Sequence, residues 1–167
     1  MSGSMVQKND HATIGYPLYL FIVVLLLTLI LTFFFMMVVH TKQETDIYTI
    51  QKELETIITE ATMMYDYATE GSTVTLSVSF PSSMNYLLFG SLPQHDPAQP
   101  LNLTLQENTS NNYYFMMDDG QTFTFHSNAR FSSDNLTKCA VFYPGSYTLI
   151  LNLTFHEGKT YVKVYKQ

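Results

Sequence analysis

The 167-residue chain contains no tryptophan and a single cysteine, Cys139. One thiol excludes an intrachain disulfide, and it excludes a cysteine-built zinc site, which needs several thiolates. The default role of such a residue is a small buried hydrophobe. Charge is also scarce, with eight Lys and Arg against fourteen Asp and Glu and a formal net charge of −6. There is no basic patch, so nucleic acid is not an expected partner. From Tyr16 to Val39 charge is missing altogether. Proline and glycine are missing from residues 18–70, so nothing there breaks a helix.

Catalytic signatures are missing too. The chain has no G-x-S-x-G, no phosphate-binding loop and no Rossmann glycine pattern. Its five histidines, His11, His40, His95, His126 and His156, show neither i,i+4 nor H-x-H spacing. A metal site would therefore need them to converge by folding. His95-Asp96 and His156-Glu157 read as solvated loop residues. Asp118-Asp119-Gly120 matches only a fragment of a calcium loop, and a hairpin turn explains it better. The sequence thus predicts no catalytic residue, no metal ligand, no cofactor and no small-molecule substrate.

What is present begins with "YPLYLFIVVLLLTLILTFFFMMVV", residues 16–39. At ~1.5 Å rise per residue this covers the ~30 Å hydrocarbon core of a bilayer. Lipid offers the backbone no hydrogen-bond partners, so the segment must be helical. Tyr16 and Tyr19 stand at one edge, as interfacial aromatics do. A cleaved signal peptide has an apolar region of roughly 7–15 residues ending in small side chains. This one is longer and ends in "FFFMMVVHTK", so an uncleaved signal anchor is expected. Residues 1–15 are then a short N-terminal tail, too short for a cytoplasmic output domain.

Lys8 is offset by Asp10, and Lys42 by Glu44 and Asp46, so flanking charge says little about orientation. Four N-x-[ST] sequons speak to it instead. They start at Asn102, Asn108, Asn135 and Asn152, all after the membrane segment, and these are the glycosylation candidates. They point to an extracytoplasmic C-terminal domain.

Residues 40–70 carry seven acids and two bases, a balance repelled by anionic headgroups. Within them Ile47, Ile50, Leu54, Ile57, Ala61, Met64 and Ala68 follow an unbroken 3-4 spacing. That is the apolar seam of a helix. Gln51, Ile58 and Tyr65 flank it, and two of these three widen the stripe, as on a helix packed against a globular body. Lys52, Glu55, Thr59, Thr62, Asp66 and Thr69 read as its solvated face. Gly71 is the expected stop. One continuous helix of fifty-odd residues, about 80 Å long, should therefore include the membrane segment and this amphipathic stalk.

After Gly71 the period changes to two. "TVTLSVSF" places Val74, Leu76, Val78 and Phe80 on one face, with hydroxyl residues on the other. "NYLLFG", "LNLTL", "NYYFMM", "TFTFH", "SYTLILNLTF" and "TYVKVYK" follow as strand candidates. "DDGQ" and "HEGK" are the hairpin turns. Six to eight short antiparallel strands over residues 71–167 predict a small β-sandwich or a curled sheet. Burial is marginal at that size, and the helix seam could complete the core. The expected class is α+β, one long helix packed on a β head.

Such a plan resembles a type IV pilin. "EATMMYDYATEGSTVTLSVSFPSSMNYLLFG", "ARF" and "PGSYTLILNLTFHEGKTYVKV" are similar to archaeal pilin-like and archaellum-associated proteins. The resemblance implies a helix ending in a small-residue turn, a first strand closed by Pro81, and a late strand after Pro144-Gly145 in the last hairpin. Prepilin peptidase substrates carry a basic residue and a glycine just before the apolar run. Here Gly15 follows Ile14, Lys8 is remote and Leu20 stands where an early acid often sits. An uncleaved, anchored relative is the expectation. Its partners would be the membrane and either copies of itself or other surface subunits. The alternative is a single-pass accessory subunit whose seam grips a partner helix. An enzyme or a receptor is the remaining class, and no residue set supports it.

Overall fold

The computed structural model of the chain describes residues 12–93 and 103–167. The chain divides between Gln43 and Glu44 into two units, and the outer part of the helix belongs to the same unit as the sheets. The helix, α1, runs from Ala12 to Tyr67. It starts four residues before Tyr16, and Pro17 falls in its second turn, where the missing N–H leaves the Thr13 carbonyl without its helical donor.

Every side chain from Tyr16 to Val39 is exposed on the isolated chain. Leaving some twenty apolar side chains in water would cost on the order of 30 kcal/mol or more. That exceeds the ~5–15 kcal/mol by which a domain is usually stable, so this surface requires an apolar environment. The helix is long and apolar enough to span a membrane once. Its threonines suit that setting. Thr28 Oγ1 donates to Val24 O and Thr32 Oγ1 to Thr28 O, both at 2.8 Å, so neither hydroxyl proton is left unpaired in lipid.

Among the described residues eight strands follow: β1 (Thr73–Phe80), β2 (Met84–Phe89), β3 (Asn112–Met117), β4 (Thr122–His126), β5 (Phe131–Ser132), β6 (Ala140–Phe142), β7 (Gly145–His156) and β8 (Lys159–Lys166). They form two four-stranded sheets, ordered β1-β7-β8-β5 and β4-β3-β2-β6. Pairing is antiparallel except between β5 and β8, which run parallel, so the all-antiparallel expectation is corrected at that border. "LNLTL" is corrected too. In its described part only a single bridge forms, Thr104 to Lys138.

The turns follow their residues. Glu157 and Gly158 both have positive φ, 51° and 80°, the geometry a two-residue hairpin loop requires. At the other hairpin Gln121 N donates to Asp119 Oδ1 at 2.9 Å. The helix ends at Tyr67, short of the expected residue 70, and Gly71 takes φ 85° beyond it. Glu70 leaves the helical path and accepts from Phe155 N at 3.1 Å.

Both sheets and the helix seam share one core. It joins Ile50, Leu54, Ile57, Ala61 and Met64 to Val78, Leu149, Leu151 and Val164 of the first sheet and to Leu87, Phe89, Phe115 and Met117 of the second. Aromatic rings tighten it, with Phe115 and Phe123 stacked at 4.8 Å and Phe89 on Phe131 at 5.2 Å. A second, smaller cluster lies outside that core: Tyr86, Leu88, Tyr114 and Cys139, with Leu103 and Leu105 against them. Strand β2 is therefore buried on both faces, which explains its uninterrupted "YLLF".

Candidate functional site

The seam is the feature the sequence marks most strongly, and five of its seven residues are buried. Ile50, Ile57 and Ala61 are fully enclosed, and Leu54 and Met64 nearly so. Ile47 and Ala68, at the two ends, are half-buried against the same core, as are Ile58 and Tyr65 on the flank. Gln51, Lys52, Glu55, Thr59, Asp66 and Thr69 are exposed. Thr62 is not fully solvated as expected. It is half-buried, with Oγ1 3.5 Å from Ser127 Oγ, because it stands one turn after Ile58 on the flank that meets the loop beyond β4. A polar tie holds the start of this stretch, where Ser83 Oγ donates to Asp46 Oδ2 at 2.7 Å.

The walls of the seam thus come from the chain's own sheets, and a partner helix could reach only the flanks. Two clefts remain there. One, about 390 Å³, lies between Gln51, Glu55, Ile58 and Thr59 of α1 and the rings of Tyr113 and Phe125. The other, about 360 Å³, lies beside β1 and includes Glu53, Ser77 and Ser79. Among the described residues no three His, Cys, Asp or Glu side chains come close enough to hold a metal.

Other polar contacts join separate parts of the β-domain. His126 bridges the start of β3, with Nδ1 3.2 Å from Asn112 Oδ1 and Nε2 3.3 Å from Asn111 Nδ2. An amide NH₂ can only donate, so Nε2 accepts and Nδ1 carries the proton. Lys159 pairs with Glu107, and that hydrogen bond, followed by the Lys159 charge, holds the exposed carboxyl below its usual range. Lys163 Nζ reaches Asp134 Oδ1 at 3.1 Å and lies over the Tyr165 ring.

The sequons differ in what their amides do. Asn102 lies outside the described residues. Asn108 is exposed on a short 3-10 turn, Glu107–Thr109, but its partner Ser110 is buried and donates to Glu107 O at 2.8 Å. Asn135 is exposed in a turn where Leu136 has φ 59°, and its Oδ1 accepts from Thr137 N at 3.2 Å. Asn152 is half-buried, and its Nδ2 donates to Thr73 Oγ1 at 3.1 Å and to Ser72 O at 3.4 Å. In the folded domain that nitrogen is occupied in joining β7 to β1.

Cys139 is buried, its Sγ 3.4 Å from Gly90 O as donor. Desolvation pushes the thiol from its ordinary value near 9 up to about 11. A group with a raised folded pKa gives full stability below the unfolded pKa and loses it as pH rises toward the folded one. Between about pH 9 and 11 the unfolded chain ionises first, so stability should fall by up to ~3 kcal/mol from this residue. Burial raises the Tyr113 and Tyr114 hydroxyls in the same direction. Cys139→Ala should therefore flatten part of the alkaline arm of a urea-midpoint-against-pH curve. An unchanged arm would show that the thiol is not desolvated. The sequence expects a small buried Cys139, as found, but the cluster that covers it exists only once Leu103 and Leu105 pack against Tyr86, Leu88 and Val141. Comparison with protein-family models, with curated proteins and with solved structures gives no match to this chain.

Proposed function

We propose that the chain is a non-enzymatic, membrane-anchored cell-surface protein of pilin-like plan, a subunit of a surface filament or of its accessory machinery. Residues 16–39 are its anchor, and the β-domain stands outside the cytoplasm. One observation carries this reading. A single helix is uncharged and exposed over Tyr16–Val39, then supplies five buried residues to the core of the β-domain. An anchor that is also a core element ties the domain's fold to its attachment. The sequons, all after the apolar run, support the extracytoplasmic side.

Carbonate washing should leave the chain in the membrane fraction, and protease added to intact cells should digest the β-domain. Release by carbonate, or full protection in intact cells, would overturn the reading. Electron microscopy of purified surface filaments then separates a filament subunit from an accessory protein. A second reading, an accessory subunit of a larger membrane complex, is favoured by the cleft between α1 and Tyr113 and Phe125, where Ile58 is left half-buried. A photo-cross-linker at Thr59 that captures another membrane protein would support it.

A further inference from the structure

Sugar transfer to asparagine requires two groups of an N-x-[ST] sequon, the amide nitrogen and the hydroxyl two residues on, both free and within reach. The three described sequons differ in both. On β7, Asn152 lies between Thr73 of β1 and Lys163 of β8. Its Nδ2 donates to Thr73 Oγ1 at 3.1 Å and to Ser72 O at 3.4 Å, so a sugar on that nitrogen would displace the tie between two strands. At Asn108 the hydroxyl is the obstacle. Ser110 is fully buried, and its Oγ donates to Glu107 O at 2.8 Å.

Asn135 meets both demands. It stands in the turn between β5 and β6, and both it and Thr137 are exposed. Its Oδ1 accepts twice, from Ser133 Oγ at 2.7 Å and from Thr137 N at 3.2 Å. A backbone N–H can only donate, so the oxygen is the end of the amide that faces the turn, and the NH₂ is the other end. Among the described residues no hydrogen bond engages Nδ2 or the Thr137 hydroxyl.

The turn is also held in shape. Ser133 N donates to Lys138 O at 2.9 Å and Leu136 N to Ser133 O at 3.2 Å, while Lys163 Nζ of β8 anchors Asp134. Leu136, the middle residue of the sequon, has φ 59°, a backbone region that an L side chain disfavours. This fold-back brings Thr137 N to Asn135 Oδ1. Held strain at a non-glycine residue tends to cluster at functional sites. The segment beside the turn is antiparallel to it, with Leu105 N donating to Thr137 O and Cys139 N to Leu103 O. At Leu103 it is level with Cys139, the end of the turn remote from Asn135.

We propose that Asn135 is the sequon of the folded domain that carries a glycan, taken from a lipid-phosphate-linked sugar donor. The proposal rests on the extracytoplasmic placement given above. The bond formed joins Asn135 Nδ2 to the anomeric carbon of the sugar. The bond broken is that carbon's link to the donor phosphate, which leaves with the electron pair, and Nδ2 gives up one proton to a base of the transferase. The rigid turn presents the nitrogen and the hydroxyl together, and the finished glycan needs no rearrangement of either sheet.

The full chain, expressed in its own host and extracted in detergent, is the sample for the test. Peptide mass spectrometry should find sugar on Asn135, with Asn108 and Asn152 bare. Asn135→Asp keeps an oxygen for both accepted hydrogen bonds but has no amide nitrogen to modify. It should lose the whole mass of the glycan and run faster on a denaturing gel, with the near-ultraviolet tyrosine signal unchanged. Thr137→Ala should do the same, and Thr137→Ser should keep the glycan. Protease treatment of intact cells reads the side of the membrane independently. A digested β-domain with a bare Asn135 overturns this proposal and leaves the placement standing, whereas a protected domain overturns the placement and the proposal with it. Sugar on Asn108 or Asn152 in place of Asn135, or a mass unchanged by Asn135→Asp, would also overturn the proposal.

Discussion

Ile57→Asp is expected to abolish the folded β-domain while the apolar part of α1 stays helical in detergent. Ile57 is fully enclosed, and the core cluster around it contains no basic side chain. Truncation to alanine alone should cost ~2–5 kcal/mol, the range for large-to-small changes in a packed core. An unpaired carboxylate at the same point adds several kcal/mol of desolvation. Together these reach or exceed the ~5–15 kcal/mol that keeps an ordinary domain folded. With no tryptophan and twelve tyrosines in the chain, near-ultraviolet circular dichroism reads the tyrosine packing of the β-domain, while far-ultraviolet ellipticity follows α1. Thr59→Asp, on the exposed face of the same helix, should change stability by only ~0.5 kcal/mol. A folded Ile57→Asp domain with an unshifted urea midpoint would show that the seam is not core.

Gly90→Ala should be the most damaging single methyl in the β-domain. Gly90 has φ 94°, and a Cβ there would lie 2.9 Å from the Phe131 carbonyl oxygen and 3.0 Å from Leu105 Cδ1. Main chain cannot yield as a flexible side chain can. The glycine is also held on both sides, with N donating to Asn112 O at 2.8 Å and O accepting from Cys139 Sγ. Left-handed backbone costs an L-residue ~1–2 kcal/mol, and the steric overlap should bring the total to about 3 kcal/mol or more. Gly120 and Gly158 supply the comparison. Both have positive φ, but nothing lies within 4 Å of the added Cβ. Gly120→Ala should therefore cost only the backbone share, ~1–2 kcal/mol. Urea midpoints of the two variants measure the difference, and equal losses would mean that the close approach of β2 to β5 is relaxed.

Much of this architecture was legible in the chain because its periods are long. An apolar run of 24 residues, a seam repeated over seven positions, and eight alternating residues at "TVTLSVSF" leave little choice of element or of face. What stayed hidden depends on distance along the chain. Strands β5 and β6 have two and three residues, too few to show a period, and exist because β8 and β2 lie beside them. "LNLTL" carries a strand's alternation, yet Leu103 and Leu105 are spent on covering the outside of a sheet. The neighbours that enclose Cys139 and the close approach at Gly90 follow from that same covering. Thr62 was misplaced because a helix flank has no sequence mark distinguishing loop contact from solvent. Asn152 lies on the outward face its alternation predicts, but only the β1–β7 register reveals that its amide is already engaged.

The core's composition also sets an order of events in time. The seam, Ile50 to Met64, is made long before β7 and β8, Gly145–Lys166, which enclose it. Roughly ninety residues separate the two, and synthesis at ~5–20 residues per second leaves the seam uncovered for about 5–20 s. Contacts this far apart in sequence also make the folding step itself slow, since the loop must close before the contacts repay it. For that interval the first sheet, which lacks β7 and β8, cannot yet cover these five apolar side chains. Until the last hairpin closes, that stripe is apolar surface held in water.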